Sequence, residues 1–106
     1  MDQGCCEVEL VRSLDGRVAD MRYLTINPAF ERLFGIPTAA AVGRLAREVV
    51  ADIQPWWRKT CDRIARARKP ERFEQEATPL GRWFEVHVYP RGGDRLGLLY
   101  NDIAAL

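Results

Sequence analysis

The sequence has few of the side chains that most catalytic and metal sites require. Its 106 residues include one histidine, His87, and one serine, Ser13. A Ser-His-Asp triad would have to use that single pair, and no motif surrounds either residue. Zinc helices with paired histidines and multi-histidine metal sites are excluded. With no clustered carboxylates either, a small standalone enzyme is a poorly supported alternative, and we predict neither catalytic nor metal-binding residues.

Cysteines and long apolar runs are also scarce. The three cysteines are an odd number, two of them are adjacent, and none forms a Cys-x-x-Cys motif. This usage argues against a disulfide framework and favours a reducing compartment. The polar residues 1–4 lack the apolar region of a signal peptide, and no apolar run approaches the roughly 20 residues of a membrane span. We therefore expect a cytoplasmic domain with no direct membrane contact.

The charge balance excludes a strongly basic nucleic-acid protein. Sixteen basic residues face fifteen acidic ones, for a net charge of +1. The basic residues between Arg58 and Lys69 occupy one segment that also reads as a helix, so a solvated helix face explains them. We expect no nucleic-acid partner.

The periodicity of apolar residues predicts an α+β domain that spans residues 1–106. Two alternating runs flank an Asp15-Gly16 hairpin signal, and three more close the chain. Short helical segments lie between these groups, and short turns make the strands antiparallel. The predicted strands cover residues 6–14, 17–26, 72–78, 82–89 and 95–103. The predicted helical segments cover residues 28–34, 38–42, 45–53 (weakly) and 55–67.

Three residues carry the local signals around the first helix. Asn27 can cap its free N–H groups, Pro28 suits the first helical position, and Gly35 suits the left-handed residue after its end. Thr38 is expected to cap a second short turn that Gly43 ends.

These motifs together resemble the PAS domain, a sensory module of bacterial signalling proteins. The resemblance covers residues 5–103, and its most specific part is the Asn27-to-Gly35 block. The supporting pieces are Asp15-Gly16-Arg17-Val18, Val42-Gly43-Arg44, Lys69-Pro70, Phe73-Glu74, Gly81-Arg82-Trp83-Phe84-Glu85-Val86 and Asn101-Asp102-Ile103. The resemblance implies a five-stranded antiparallel sheet in the order 2-1-5-4-3, with short helices packed on one face.

The resemblance also implies a function. The chain would be the sensory or regulatory part of a longer histidine kinase, diguanylate cyclase or transcription regulator. It would bind a small, mostly apolar ligand in a core pocket and relay the signal near Asp102 to an output domain that follows in the same polypeptide. The usual threonine of the terminal motif is Ala104 here. The alternative is a ligand-free dimerisation or interaction module.

The resemblance implies which residues would hold two cofactors, flavin and haem, in this sequence. Light-sensing members carry a reactive cysteine at the position of Ala46, so a flavin photoadduct is not expected. Haem-binding members commonly use a histidine on the long helix, and residues 55–67 contain none. No cofactor is assigned, and a small apolar ligand is the remaining candidate.

Two sets of residues are the candidate sites. Apolar residues at helical and strand spacing could line a ligand pocket, and they could equally form a filled core. Residues on the opposite side of the last strands form a candidate homodimer face, together with the N-terminal segment. The pocket set is Phe30, Leu33, Phe34, Trp57, Cys61, Ile64, Phe73, Phe84, Val86 and Leu98, and the dimer set is Trp83, His87, Tyr89 and Leu99.

Overall fold

The computed structural model describes residues 3–50, 53–77 and 81–103. They form five strands and four helices in the order ββααααβββ. The strands are β1 (Gly4–Arg12), β2 (Val18–Ile26), β3 (Glu71–Ala77), β4 (Arg82–Gly92) and β5 (Arg95–Asp102), and the helices are α1 (Pro28–Phe34), α2 (Thr38–Ala41), α3 (Ala46–Val49) and α4 (Pro55–Ala67).

The strands make one antiparallel sheet in the order β2-β1-β5-β4-β3. Alternation decides which face each strand buries, because successive side chains point to opposite sides. Val8, Phe84, Val86, Leu96 and Leu98 are almost fully buried and face the helices. The predicted α+β fold, and the strand order that the resemblance implied, are confirmed.

The signals around α1 are confirmed atom by atom. The Asn27 side-chain Oδ1 accepts hydrogen bonds from the Phe30 N–H and the Cys5 N–H, each at 2.9 Å. Pro28 is the first helical residue, and Gly35 has the left-handed φ of 69°. Asn27 therefore caps the helix and also fixes the start of β1 beside it.

Several predicted boundaries are wrong. The weak helix over residues 45–53 is reduced to α3, because Val50 leaves the helix after one turn. Thr38 is not a cap: Pro37 precedes α2 without a side-chain hydrogen bond, and the Thr38 hydroxyl instead donates to Glu31.

The hairpins also differ from the prediction. Strand β1 ends at Arg12, and β4 continues through Pro90 to Gly92, because a bulge and the positive φ of Gly92 absorb the bend there. Most of the predicted turn over residues 79–81 lies outside the described residues.

Arg12 connects three segments that are distant in sequence. Its Nη1 donates to the Gly16 carbonyl at 2.8 Å and to Asp62 Oδ1 of α4 at 2.7 Å. Its Nε donates to Asp94 Oδ1 in the β4–β5 turn at 3.0 Å. The guanidinium thus ties the β1–β2 hairpin to α4 and to the far hairpin.

Asp20 is a buried charge that the sequence pattern does not predict. Register shifts between β1 and β2 turn it toward the helical layer, where it is 2% exposed. Its Oδ1 accepts from the Met21 N–H at 2.8 Å, and its Oδ2 has no hydrogen-bond partner among the described residues. The Arg47 guanidinium of α3 lies 3.6 Å from that oxygen as an ion pair. This pair ties α3 to β2.

Candidate functional site

Aromatic rings from α1, β4 and β5 pack together under the first helix. Phe34 lies 4.6 Å from Phe30, 5.5 Å from Phe84 and 5.1 Å from Tyr100, measured between ring centroids. Phe30 also contacts Tyr23 at 5.9 Å. Tilted and edge-to-face contacts at these distances add to the burial energy of the rings. These five residues are called the α1 aromatic group below.

A second group joins α4 to the edge strand β3. Trp57 and Phe73 have centroids 5.8 Å apart, and Trp56 lies 6.1 Å from Phe73. Trp57 is buried, Phe73 is partly buried, and Trp56 is 43% exposed. The group therefore runs from the core to the surface at this end of the helical layer.

All ten predicted pocket residues belong to one hydrophobic cluster with these two groups. Seven of them are buried, while Leu33, Phe34 and Phe73 are only partly buried at its margin. Ile36, Val49 and Ile53 are further partly buried apolar residues on that margin. The helical layer thus has an incompletely covered apolar margin along α1, α3 and β3.

The predicted pocket set omits three aromatic members of these two groups, which are Tyr23, Tyr100 and Trp56. Tyr100 contacts three rings of the α1 aromatic group, and Trp56 extends the second group to the surface. The alternation of β5 could have identified Tyr100, because it follows Leu96 and Leu98 on the same face. Trp56 falls off the apolar face of α4, so periodicity gives no signal for it.

The thiols and phenols of this interior are uncharged at neutral pH. Burial raises the pKa of the Cys61 thiol to about 12, and it raises the pKa of the Cys6 thiol above its ordinary value too. Burial likewise raises the pKa values of the Tyr23 and Tyr100 phenols. A protonated thiol is a poor nucleophile and a poor metal ligand. The interior can therefore contact an apolar molecule and offer it weak hydrogen-bonding groups, but it lacks an activated nucleophile among these four residues.

Metal-ligating side chains are not grouped in the part of the chain that the structure describes: no three His, Cys, Asp or Glu residues there could hold one ion. Ala46, at the position of the flavin-reactive cysteine, is the first residue of α3 and is buried. Helix α4 carries no histidine. Both cofactor expectations remain predictions.

The four residues of the predicted dimer face lie on the side of the sheet away from the helices. Trp83 is 48% exposed, and His87, Tyr89 and Leu99 are partly exposed. His87 and Leu99 are direct cross-strand partners on β4 and β5. We call this surface the outer sheet face.

Charges on the outer sheet face occur in pairs. Arg91 lies 3.2 Å from Glu7, and the His87 Nε2 lies 3.1 Å from the Glu85 carboxylate. Hydrogen bonding to His87 lowers the pKa of Glu85 below its ordinary value. Because these charges have local partners, a surface that covered this face would meet few uncompensated ones.

Gly97 makes room for an aromatic ring at the centre of the outer sheet face. It pairs with Tyr89 across β4 and β5, and a Cβ atom on Gly97 would lie 2.3 Å from the Tyr89 Cζ. No real side chain tolerates that separation, so glycine is required while the ring keeps this position. The Tyr89 ring is thereby held flat across the sheet.

Asp102, the predicted relay residue, ends β5. It pairs with Phe84 of β4 in the sheet register, and its Oδ2 lies 3.7 Å from the Arg82 guanidinium. The neighbouring Ile103 N–H donates to the Trp83 carbonyl at 2.9 Å. Ala104, the departure from the family's threonine, lies outside the described residues.

An antiparallel five-stranded sheet with short helices on one face and an apolar interior defines the chain as an α+β domain. A family model described as "PAS fold" matches residues 18–104. This chain belongs to the PAS fold family, which confirms the resemblance seen in its motifs. No curated protein matches the sequence.

Solved structures show the same fold at low sequence identity. A domain of an HTR-like protein from Haloarcula marismortui superposes with a TM-score of 0.71 at 16% identity, covering 95% of this chain and 97% of that one. The LOV domain of the blue-light activated histidine kinase from Erythrobacter litoralis gives a TM-score of 0.65 at 15% identity, covering 98% of each chain. A longer structure of that kinase matches with a TM-score of 0.62 at 17% identity, and the match covers 96% of this chain but 33% of the kinase.

None of the helices described here is long and apolar enough to cross a membrane.

Proposed function

We propose that this chain is the sensory module of a signal-transduction protein and that it binds a small, mostly apolar ligand between its helices and its sheet. The observation that carries the proposal is the apolar margin of the helical layer, where partly buried Phe34 and Phe73 border a mainly apolar interior. Pockets of this kind are lined mainly by apolar and aromatic side chains with few polar groups. The protonated phenols and thiols of the interior supply those few.

The proposed signal leaves the domain through β4 and β5. Phe84 of β4 and Tyr100 of β5 face the interior. Their neighbours in the sequence, Trp83 and Asn101, lie on the opposite side of the sheet. A ligand that displaces the α1 aromatic group would therefore move the end of β5, where Asp102 pairs with Arg82. We expect the output domain to follow this strand, and we expect this chain itself to be no enzyme.

Ligand binding is tested by native mass spectrometry, with an absorbance spectrum, of the full-length protein purified from its source. We expect a stoichiometric extra mass that is lost when Phe34→Trp fills the margin and is retained in Trp83→Ala, a matched aromatic change on the outer sheet face. Circular dichroism confirms that each variant folds. Retention of the mass in the Phe34 variant would place the ligand elsewhere.

A ligand-free dimerisation module is the second candidate, and the direct ring contacts of the α1 aromatic group favour it. Rings separated by 4.6 to 5.5 Å between centroids already fill the space that they enclose. Absence of any extra mass in several preparations from the source would select this candidate.

In either case, we propose that the protein is a homodimer that uses the outer sheet face and the N-terminal segment. The paired charges and the exposed ring of Trp83 suit a covered surface. In light scattering, Leu99→Arg should shift the dimer toward monomer, because it places an unpaired charge at the centre of the face. Leu14→Arg is the matched control, since Leu14 is fully exposed in the β1–β2 hairpin. A wild-type monomer at high concentration, for this chain and for a longer one, would refute the dimer.

A further inference from the structure

A cleft of about 560 Å³ opens between the start of β2 and the N-terminal half of α4. It lies at the surface and shares none of its lining with the pocket set or the outer sheet face. Its volume falls within the range of small-molecule sites, roughly 300 to 1,000 Å³. The lining residues are Arg17, Val18, Pro55, Arg58, Lys59 and Asp62.

The lining carries an excess of positive charge. Asp62, the one carboxylate among the described residues of the lining, is already held by Arg12 at 2.7 Å and by Arg66 at 2.8 Å. Among the described residues, Arg17 forms an ion pair only with Asp15, at 3.5 Å, and both side chains are exposed. Its guanidinium therefore remains available to a second anion.

Arg58 and Lys59 are the distinctive residues of the cleft. Neither side chain makes a hydrogen bond or an ion pair within the part of the chain that the structure describes. The contrast is Arg63 on the same helix, which grips Glu71 through two hydrogen bonds of 2.7 and 2.8 Å. Two adjacent cations without partners repel each other and gain nothing for the fold.

Arg58 and Lys59 lie in the N-terminal half of α4, where the helix dipole adds to the excess of positive charge. The first turn of the helix contains no acidic residue, and Gln54 provides no side-chain cap. The positive end of the helix dipole therefore lies near the cleft, and neither the first turn of α4 nor the Gln54 side chain offsets it. A bound anion would offset both the dipole and the two side chains.

We propose that this cleft binds a phosphate-bearing small molecule. A phosphate presents several acceptor oxygens, which match the donor fork of Arg58 or Arg17 together with the ammonium of Lys59. Val18 and Pro55 give the cleft apolar surface for the uncharged part of the ligand. The ligand's charge would then be met by three cations from two separate elements of the fold.

The test is a titration of the purified protein with pyrophosphate and with ADP at constant ionic strength. Adenosine serves as the uncharged control. The readouts are tryptophan fluorescence, since Trp56 precedes the cationic pair in sequence, and amide chemical shifts by NMR. We expect saturable binding of the two phosphate compounds but not of adenosine, with shifts concentrated at Arg17, Arg58 and Lys59.

Charge-reversal variants locate the site. Arg58→Glu and Lys59→Glu, each alone, should weaken binding by about tenfold, which corresponds to about 1.4 kcal/mol. Lys69→Glu makes the same change of charge on an exposed lysine outside the cleft, and it should alter the affinity less than about twofold. Thermal melting of each variant confirms that the fold is retained.

Three outcomes would overturn the proposal. The first is no saturation by pyrophosphate or ADP at millimolar concentrations. The second is equal weakening by Lys69→Glu, which would indicate diffuse attraction of anions. The third is binding restricted to vesicles that contain phosphatidylglycerol, or to a DNA oligonucleotide, with neither soluble phosphate compound bound.

Discussion

Removal of the Arg12 guanidinium should be the most damaging single loss of a polar side chain in this domain. The side chain is 20% exposed and makes three hydrogen bonds, to Asp62, to Asp94 and to the Gly16 carbonyl. Hydrogen bonds to charged groups contribute about 1.5 to 3 kcal/mol each, and partial exposure reduces that value toward about 1 kcal/mol. Arg12→Ala should therefore lower the free energy of unfolding by about 3 kcal/mol. That loss corresponds to a fall in Tm of roughly 10 to 20 °C for a domain of this size.

The pH dependence gives this prediction a second test. Burial alone would raise the pKa of Asp62, but hydrogen bonds from Arg12 and Arg66 outweigh it and hold the pKa below its ordinary value. A carboxylate with a lowered folded-state pKa stabilises the fold above its unfolded pKa, about 4, and loses that contribution as the pH falls through the folded value. The difference in the free energy of unfolding between wild type and Arg12→Ala should therefore become smaller in acid.

The assay is urea denaturation followed by tryptophan fluorescence, at neutral pH and below pH 4. Arg12→Lys keeps the charge, but one ammonium cannot span three acceptors, so it should lose roughly half as much. Arg91→Ala is the control, because Arg91 forms one exposed ion pair with Glu7 and should cost less than about 0.5 kcal/mol. If Arg12→Ala costs no more than Arg91→Ala, the three-segment network contributes nothing and the reasoning fails.

Two further predictions concern the outer sheet face and the thiols. Gly97→Ala should lower the free energy of unfolding by about 1 to 3 kcal/mol, because the new methyl group clashes with the Tyr89 ring. In the double variant with Tyr89→Ala, most of that loss should be recovered. If urea denaturation shows that the two losses simply add, the contact between the two residues is contradicted. Of the three thiols, only partly exposed Cys5 should react with iodoacetamide in the native protein, because the other two are buried and their pKa values are raised. Mass spectrometry counts the adducts, and labelling in denaturant, where all three should react, is the control.

Local signals predicted the start of the helical layer because they act between neighbouring residues. An asparagine followed by proline and, eight residues on, by glycine specifies a capped helix of fixed length, and the structure shows that helix between Asn27 and Gly35. Strand alternation likewise predicted which side chains of β4 are buried. The strand order came from the resemblance, since periodicity does not determine which strands become neighbours.

Contacts and orientations that depend on residues far apart in the sequence were not predicted. Arg12 and Asp94 are 82 positions apart, and nothing in either local sequence links them. Asp20 faces the interior because of register shifts, whereas simple alternation does not reveal where a strand will bulge. The same holds for the cleft beside α4, since it requires Arg17 of the hairpin to approach Arg58 of the helix.

Strands β4 and β5 contribute side chains to both the interior and the outer sheet face, so the two surfaces cannot move independently. On β4, Phe84 packs under α1 while Trp83 and Glu85 stand on the opposite side. On β5, Tyr100 packs under α1 while Leu99 pairs with His87 outside. Because a strand cannot shift one face without the other, a ligand that moves the α1 aromatic group would also move the proposed dimer contacts. The proposed sensing and the proposed pairing are therefore coupled by the geometry of the sheet, and a ligand-dependent change in dimer affinity is the form that this coupling should take.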